Sequence, residues 1–543
     1  MAALPALDIH GNNTPHQPIA SFSSTTPDEE KASVDFASPA DSEEDLLARY
    51  YEPPDSWENK HRWDPKATWT DEELKKLTRK LDWRVTLVAC ICFAALQLDR
   101  GNIGNALSDG MLKDLNLTTN QYNYGQTLFY ACFLAAELPS QLISKKLGSD
   151  VWIPIQMMSW SVIALSQVGL KNVHGFYATR ALLGLLEGGF IADTILYLSY
   201  YFTASELSIR LGFFWVALTT TSILGSFLAA GLLAMRGTHG LEGWRWLFLV
   251  EGIITFFIGL WAYFYLPAGP TQTAGGIRGK GWFNEREEII IVNKVIRDDP
   301  TKSDMHNRQG LTARFLFDSL WDYDLWPVYA LGLTTYLAPA TVNAYFSLTL
   351  KSLGFSTFQT NMLMIPQAVL FMINNLVLVF TSKRLNERLL TATLGSWWQL
   401  IFLIVIVAIP DDTGKWVKWA LLSLLLSYFY QHPLLVGLVS ANSGSVRTRT
   451  VASSVYNMAV QASSMIASNV YRADDKPYYH RGNRALIGVV AGNLVLFFLS
   501  KAYYVLRNRH REKIWSGMTT SEKETYLQTT TDKGNKRYVD RSL

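Results

Sequence analysis

The chain has 543 residues, of which 49% are hydrophobic and only 17% charged, with a formal net charge of +3. A soluble chain carries about a quarter charged residues, and here the charges crowd into both ends and one central stretch. A soluble enzyme, a nucleic-acid binder and a secreted disulfide scaffold are thereby excluded, and a polytopic membrane protein remains.

Residues 1–65 are rich in Ser, Pro, Asp and Glu and lack the basic start and apolar stretch of a signal peptide. They are expected to form a disordered cytosolic tail. Apolar windows long enough to cross a bilayer core of about 30 Å then predict spans at 84–106, 122–143, 152–170, 176–199, 211–234, 246–266, 326–349, 359–381, 390–410, 416–439, 451–470 and 485–506. Six precede a polar stretch at 267–325 and six follow it. The predicted fold is therefore all-α, with 12 transmembrane helices in two six-helix bundles, 66–266 and 326–506. A cytosolic central loop, 267–325, joins them, and a cytosolic tail, 507–543, ends the chain. Within the loop, GWFNEREEIIIVNKVIRDD has helical spacing and no breaker, which predicts a short surface helix. The basic flanks KKLTRK and RNRHREK and the basic central loop put both termini in the cytosol.

Cys90, Cys92 and Cys132 all fall in apolar segments and read as small buried hydrophobes. No metal-ligand spacing and no phosphate-binding G-x-x-x-x-G-K-[ST] appear, so no metal and no cofactor are expected and secondary transport is favoured over an ATP-driven pump. Asn116-Leu117-Thr118 is a sequon, but it lies close to the bilayer. Trp83, Trp152, Trp244, Trp246 and Trp326, at span ends, read as interface anchors.

The informative residues are charges inside spans. An ionisable side chain near the bilayer centre costs about 2.5–3.5 kcal/mol even on a lenient scale. The first span ends LQLDRGNIGNA, with Asp99 and Arg100 either snorkelling outward or facing an internal water-filled cavity. The fourth reads TRALLGLLEGGFIADTILYLS, with Arg180 and Glu187 two helical turns apart on one face. Matching depths suggest an Asp99–Arg180 pair, leaving Arg100 for an anion and Glu187 nearer the midplane as a proton carrier. Gly184, Gly188 and Gly189 permit close helix approach. Glu137 and Asp193 fit a structural pair or a functional role equally. The second half offers amides (Asn343, Asn374, Asn375, Gln399, Asn457, Gln461 and Asn469), mostly as interhelical hydrogen bonds, with Gln461 the best candidate to line the cavity. His432, beside Pro433, reads as a core histidine or kink partner.

LDRGNIGNA, RALLGLLEGGF, GWRWLFLVEG, LGFSTFQTNMLMIP and above all YNMAVQASSMIASNVYRADDKPYYHRGNRAL resemble the fungal anion:cation symporter branch of the major facilitator superfamily, the allantoate permease family. The tail KIWSGMTTSEKETYLQTTTDKGNKR is similar too, so the resemblance covers about residues 65–540. It implies a proton-driven importer of small organic anions; members take up allantoate, nicotinate, pantothenate, biotin or sulfonates. It also implies proton carriage by Asp99 and Glu187, substrate contact by Arg100, and a network role for Arg180. LKNVHGFYATR and YRADDKPYY look closest to fungal sulfonate and inorganic-sulfur permeases. The chain departs from the superfamily after span 2, where Ser149 and Asp150 stand in place of a basic pair, and it lacks the Gly-Pro signature of drug–proton antiporters in span 5. The expectation is a monomeric, plasma-membrane or vacuolar, non-enzymatic symporter of protons and a small carboxylate or sulfonate, embedded in the lipid bilayer and without nucleic-acid partners. Export of a fungal secondary metabolite is the alternative, and a nutrient sensor a third.

Overall fold

The computed structural model describes residues 52–53, 55, 57–298, 321–442, 446–476 and 478–518. The expected disorder of the N-terminal tail falls mainly on residues 1–51 and, with most of the tail beyond 518 and residues 299–320 of the central loop, lies outside them.

Among the described residues the chain is helical throughout, in twelve passes. Span 1 (Leu87–Ser108) continues a surface helix, Asp71–Leu81, through one π turn. Spans 2 (Thr119–Leu147), 3 (Ser149–Ser166), 5 (Ala204–Leu233) and 6 (Gly243–Tyr265) complete the first half together with span 4, which is split into Val173–Glu187 and Phe190–Ser199. Span 7 is split as well, into Trp326–Thr335 and Leu337–Ser352. Spans 8 (Thr357–Leu385), 9 (Leu389–Ala408), 11 (Val446–Ala467) and 12 (His480–Gly517) are continuous. Span 10 is interrupted between Lys415–Leu426 and His432–Asn442. Eight of the helical stretches are long and apolar enough to cross a membrane. Spans 2 and 11 are rich in amides and hydroxyls, and spans 7 and 10, like span 4, are broken. Such residues and breaks survive at membrane depth only where protein or a water-filled cavity takes up the polar groups.

Capping residues set several ends. Thr118, Thr203 and Ser356 each accept from the backbone N–H three residues on, with Gln or Glu reaching back, so spans 2, 5 and 8 start on capping boxes. The split of span 4 follows from Gly188 in an extended conformation and Gly189 at φ +89°, where a side chain would be strained. The break of span 10 is a five-residue stretch, Ser427 to Gln431. Its freed carbonyls are used: Gln367 donates to Leu426 O (3.1 Å) and Trp398 Nε1 to Leu424 O (2.6 Å).

The central helix, Glu285–Asp298, forms where the spacing placed it, but it is not a solvated surface helix. Ile290, Ile291, Val292, Val295 and Ile296 are buried. The segment before span 1 covers it: Arg62 reaches Glu288 (2.8 Å) and Glu285, Lys80 reaches Glu287 (2.7 Å), and Arg286 reaches Glu73 (3.2 Å). Lys294, 6% exposed, holds both oxygens of Glu206 at the start of span 5 (2.8 and 3.1 Å).

Burial pulls the Lys294 ammonium below its ordinary value near 10.5, against the opposing attraction of Glu206. Because the unfolded chain binds this proton more tightly, the folded state gains stability as pH rises from the lowered value toward 10.5. Glu206→Gln should strand the ammonium and destabilise the protein by up to about 3–5 kcal/mol at pH 7. Its deficit in melting temperature against the parent should shrink as pH is raised to 10. A deficit constant across that range would show that Lys294 is not the cause.

The tryptophans expected at the interface divide. Trp83 (65% exposed) and Trp326 (52%) are exposed, whereas Trp244 is fully buried, its indole N–H donating to Asp114 (3.0 Å). Asp109 and Asp114 are also held by Arg236 (2.9 and 2.8 Å), which ties the end of span 1 to the span 5–6 connection.

Candidate functional site: an arginine pair between spans 1, 2 and 4

Consecutive helical residues point about 100° apart, so Asp99 and Arg100 leave span 1 in different directions. Asp99, 7% exposed, turns into the first half and accepts from Trp160 Nε1 of span 3 (2.9 Å). Arg100 turns to span 4, where its Nε donates to Glu187 (2.8 Å), the last residue before the break. The guanidinium of Arg100 lies over the Phe133 ring, 4.7 Å from its centroid.

Arg180 is 4% exposed and lies over the ring of Phe129, 5.1 Å from its centroid. Its Nε has no hydrogen-bond partner, and among the described residues no carboxylate is within ion-pair distance. The pairing of Asp99 with Arg180 expected from depth is therefore corrected. Arg100, expected to be free, has the carboxylate, and Arg180, expected to be paired, is uncommitted. Depth fixes position along a helix axis but not rotation about it, and rotation decides the partners.

The glycines bring these groups together. A Cβ on Gly184 would lie 2.3 Å from Phe129 O, and one on Gly188 2.8 Å from Phe133 O. One on Gly189 would lie 2.3 Å from Ser140 Cβ. Span 4 thus lies against the backbone of span 2, with each arginine over one of two rings a helical turn apart. Arginine over an aromatic face is held without an acid and keeps donors free for another anion. The spacing of Phe129 and Phe133 at i, i+4 was the available signal for this platform. Tyr130, half-buried, faces both arginines, Glu187 and Ser464 of span 11, and nothing in the sequence pattern marks it.

In the second half, Gln461 is half-buried on span 11, one turn from Asn457. Asn457 donates to Glu137 of span 2 (2.9 Å), so Glu137 joins the two halves, while its second oxygen has no partner. Asp193 accepts from Ser140 (2.9 Å), which also receives Trp152 and Gln156 (2.9 Å each). Gln156 caps Gly188 O (3.1 Å), so this group closes the break in span 4. His432 is buried among Trp215, Tyr336, Tyr430 and Tyr456, with its Nδ1 unpartnered. At the end away from the termini the halves meet through Asn469 to Thr127 (2.6 Å), Asn123 to Tyr471 O (2.7 Å), Asn361 to Ser108 (3.2 Å), and Tyr345 to Asn123.

The Major Facilitator Superfamily model matches residues 89–468, spanning both halves and this site. The chain belongs to the major facilitator superfamily. The uncharacterized transporter YIL166C of Saccharomyces cerevisiae is 46% identical over 483 residues, 89% of each chain. The major facilitator-type transporter hxnP of Emericella nidulans is 26% identical over 427 residues, 77% of this chain and 84% of that one. Among solved structures, a bacterial homolog of the human lysosomal transporter Spinster, inward-facing and occupied, superposes with a TM-score of 0.56 at 12% identity, covering 77% of this chain and 96% of that one. The xylose transporter XylE from E. coli gives 0.56 at 14% identity, over 77% and 97%. Like other members of the superfamily, this chain is a multi-pass membrane protein and a secondary transporter, with relatives that are transporters and not enzymes.

Proposed function

We propose that this chain is a proton-coupled importer of a small organic anion, a carboxylate or a sulfonate, of the allantoate permease branch and nearest its sulfonate and inorganic-sulfur permeases. In this reading it works as a monomer in the plasma membrane with both termini in the cytosol. The single observation that carries it is Arg180, a buried cation on an aromatic face with no acid committed to it. A buried charge without a counter-ion is costly, and an anionic substrate removes that cost. The fork of a guanidinium matches carboxylate and sulfonate oxygens in a bidentate way.

Arg100 and Glu187 supply the coupling. Glu187 as an anion occupies Arg100 (2.8 Å) and competes with the substrate for it. A proton on Glu187 cancels that attraction and frees Arg100 to join Arg180 on the substrate, so proton and anion bind together. Gln461 and Tyr130 line the same space and select by size and hydrogen bonding.

Uptake of labelled carboxylates and sulfonates by cells expressing the protein tests this reading. Accumulation should rise as the external medium is acidified and vanish when the proton gradient is collapsed. Saturable transport of a neutral or cationic solute, with no anion carried, would overturn the anion assignment. Anion uptake that only equilibrates, at every pH, would overturn the coupling.

A further inference from the structure

Span 6 carries an acid that the site above does not use. Glu251 has no exposed surface, and neither of its carboxyl oxygens has a hydrogen-bond partner. It lies on the tightly packed face of span 6, where buried residues recur at Leu247, Phe248, Glu251, Gly252, Thr255 and Gly259. A Cβ on Gly252 would come within 2.9 Å of Leu165, and one on Gly259 within 3.0 Å of Met157, both of span 3. The short glutamate side chain, held on this close contact, has no route to water or headgroups.

Span 6 packs against span 1, where Asp99 is the ionisable group whose charge acts on Glu251. From span 3 the Trp160 indole donates to Asp99 (2.9 Å). From span 4 Glu187 faces Asp99, and from span 6 so does the Thr255 hydroxyl. No cation reaches either acid within ion-pair distance among the described residues, since Arg100 is taken by Glu187 and Arg180 lies over Phe129. Three carboxyl oxygens, both of Glu251 and Oδ1 of Asp99, are therefore buried without partners. Buried polar atoms are almost always satisfied. Two adjacent uncompensated carboxylates are the least tolerable arrangement of all, because like charges in a low dielectric cannot both ionise. A bound proton removes one charge and supplies a donor.

We propose that Glu251 and Asp99 form one proton site behind the anion cavity, loaded and emptied in every transport cycle and connected to the cavity through Glu187. A proton entering from the cavity binds a Glu187 oxygen as the Arg100 pair opens. It then moves to Asp99 and is shared with Glu251, and a second proton that takes its place on Glu187 keeps Arg100 free for the substrate. Each step after entry transfers one proton between carboxyl oxygens and leaves the summed charge of the three acids unchanged. Span 6 thereby takes part in coupling without touching the substrate, and Glu251 is a positioning and proton-holding residue. This rests on the proton-coupled reading above.

The test uses the full chain reconstituted in vesicles with a labelled anion that the parent protein accumulates, measured against imposed pH differences. Glu251→Gln should keep the parent's melting temperature and its exchange of anion between loaded sides. It should carry one proton fewer per anion, so that each unit of pH difference drives about tenfold less accumulation. Glu251→Asp should recover part of the slope. A Gln variant with the parent's stoichiometry and pH profile overturns the proposal while leaving the proton-coupled reading intact. A parent protein that accumulates no anion against a gradient overturns that reading itself, and this site with it. Should Glu251→Gln fail to fold, infrared spectra of the parent and Glu251→Asp decide. A protonated-carboxyl stretch that moves in the Asp variant supports the site, and one that does not move overturns it.

Discussion

Arg180→Ala is expected to abolish anion uptake while leaving the amount of protein in the membrane close to that of the parent. Both halves of this result follow from its lack of a partner. Nothing buried is stranded when it goes, because among the described residues no carboxylate pairs with it; the contact with Phe129 is lost, at 5.1 Å. That contact is worth about 0.5–2 kcal/mol. The substrate, by contrast, loses a buried guanidinium that, among the described residues, no acid competes for. Lysine should restore little, since a point charge neither stacks on the ring nor offers two parallel donors. Uptake kinetics and surface labelling on the same cells check the result. Near-normal uptake by Arg180→Ala would remove the residue from the site, and loss of surface protein would mean that it holds the fold.

The pair Arg100–Glu187 should behave in the opposite way. With Glu187 only 2% exposed along its side chain and Arg100 21%, removing either partner leaves the other as an uncompensated charge, at about 3–5 kcal/mol. Arg100→Gln should therefore lower folding and surface expression. Glu187→Gln adds an unpaired guanidinium to the already uncommitted Arg180. The double variant removes both charges and should express better than at least one single, a coupling that a double-mutant cycle reads directly. In function, Glu187→Gln preserves shape and removes titration, so pH-driven accumulation should fail while exchange of substrate between loaded sides survives. Strictly additive expression losses would deny the ion pair, and an unchanged pH dependence would deny the proton role.

The spans were legible because apolar windows of about 20 residues, repeated along a chain, match the thickness of a bilayer core. The glycines of RALLGLLEGGF were likewise legible as a contact stripe. The partners were not. Asp99 and Arg180 matched in depth, but one residue's rotation along span 1 gives the neighbour Arg100 to Glu187 and turns Asp99 toward Trp160. Rotation is set by packing, here by the glycines pressing span 4 on span 2, and no single sequence carries that directly. Glu251 sits in the stretch GWRWLFLVEG, legible only as a resemblance motif; the packed face of span 6 isolates it. Trp244 looked like an anchor because it stands at a span end, until Asp114 and Arg236 gathered around it. The central helix was legible as a helix but not as a buried one, since what covers it lies more than 200 residues earlier in the chain.

Among the described residues, the hydrogen bonds of the seam at the end away from the termini come from amides and hydroxyls, with one cation, Arg472, over the Tyr124 ring (6.0 Å), whereas the ion pairs stay within one half or its flanking segments. Each such neutral bond contributes about 0.5–1.5 kcal/mol net, and water can replace every one of them when the seam parts. Closure there is accordingly shallow and nearly indifferent to ionic strength, because screening acts on charges and not on amides. A transporter built this way can open to surroundings of widely varying salinity without its resting state being tightened or loosened by them.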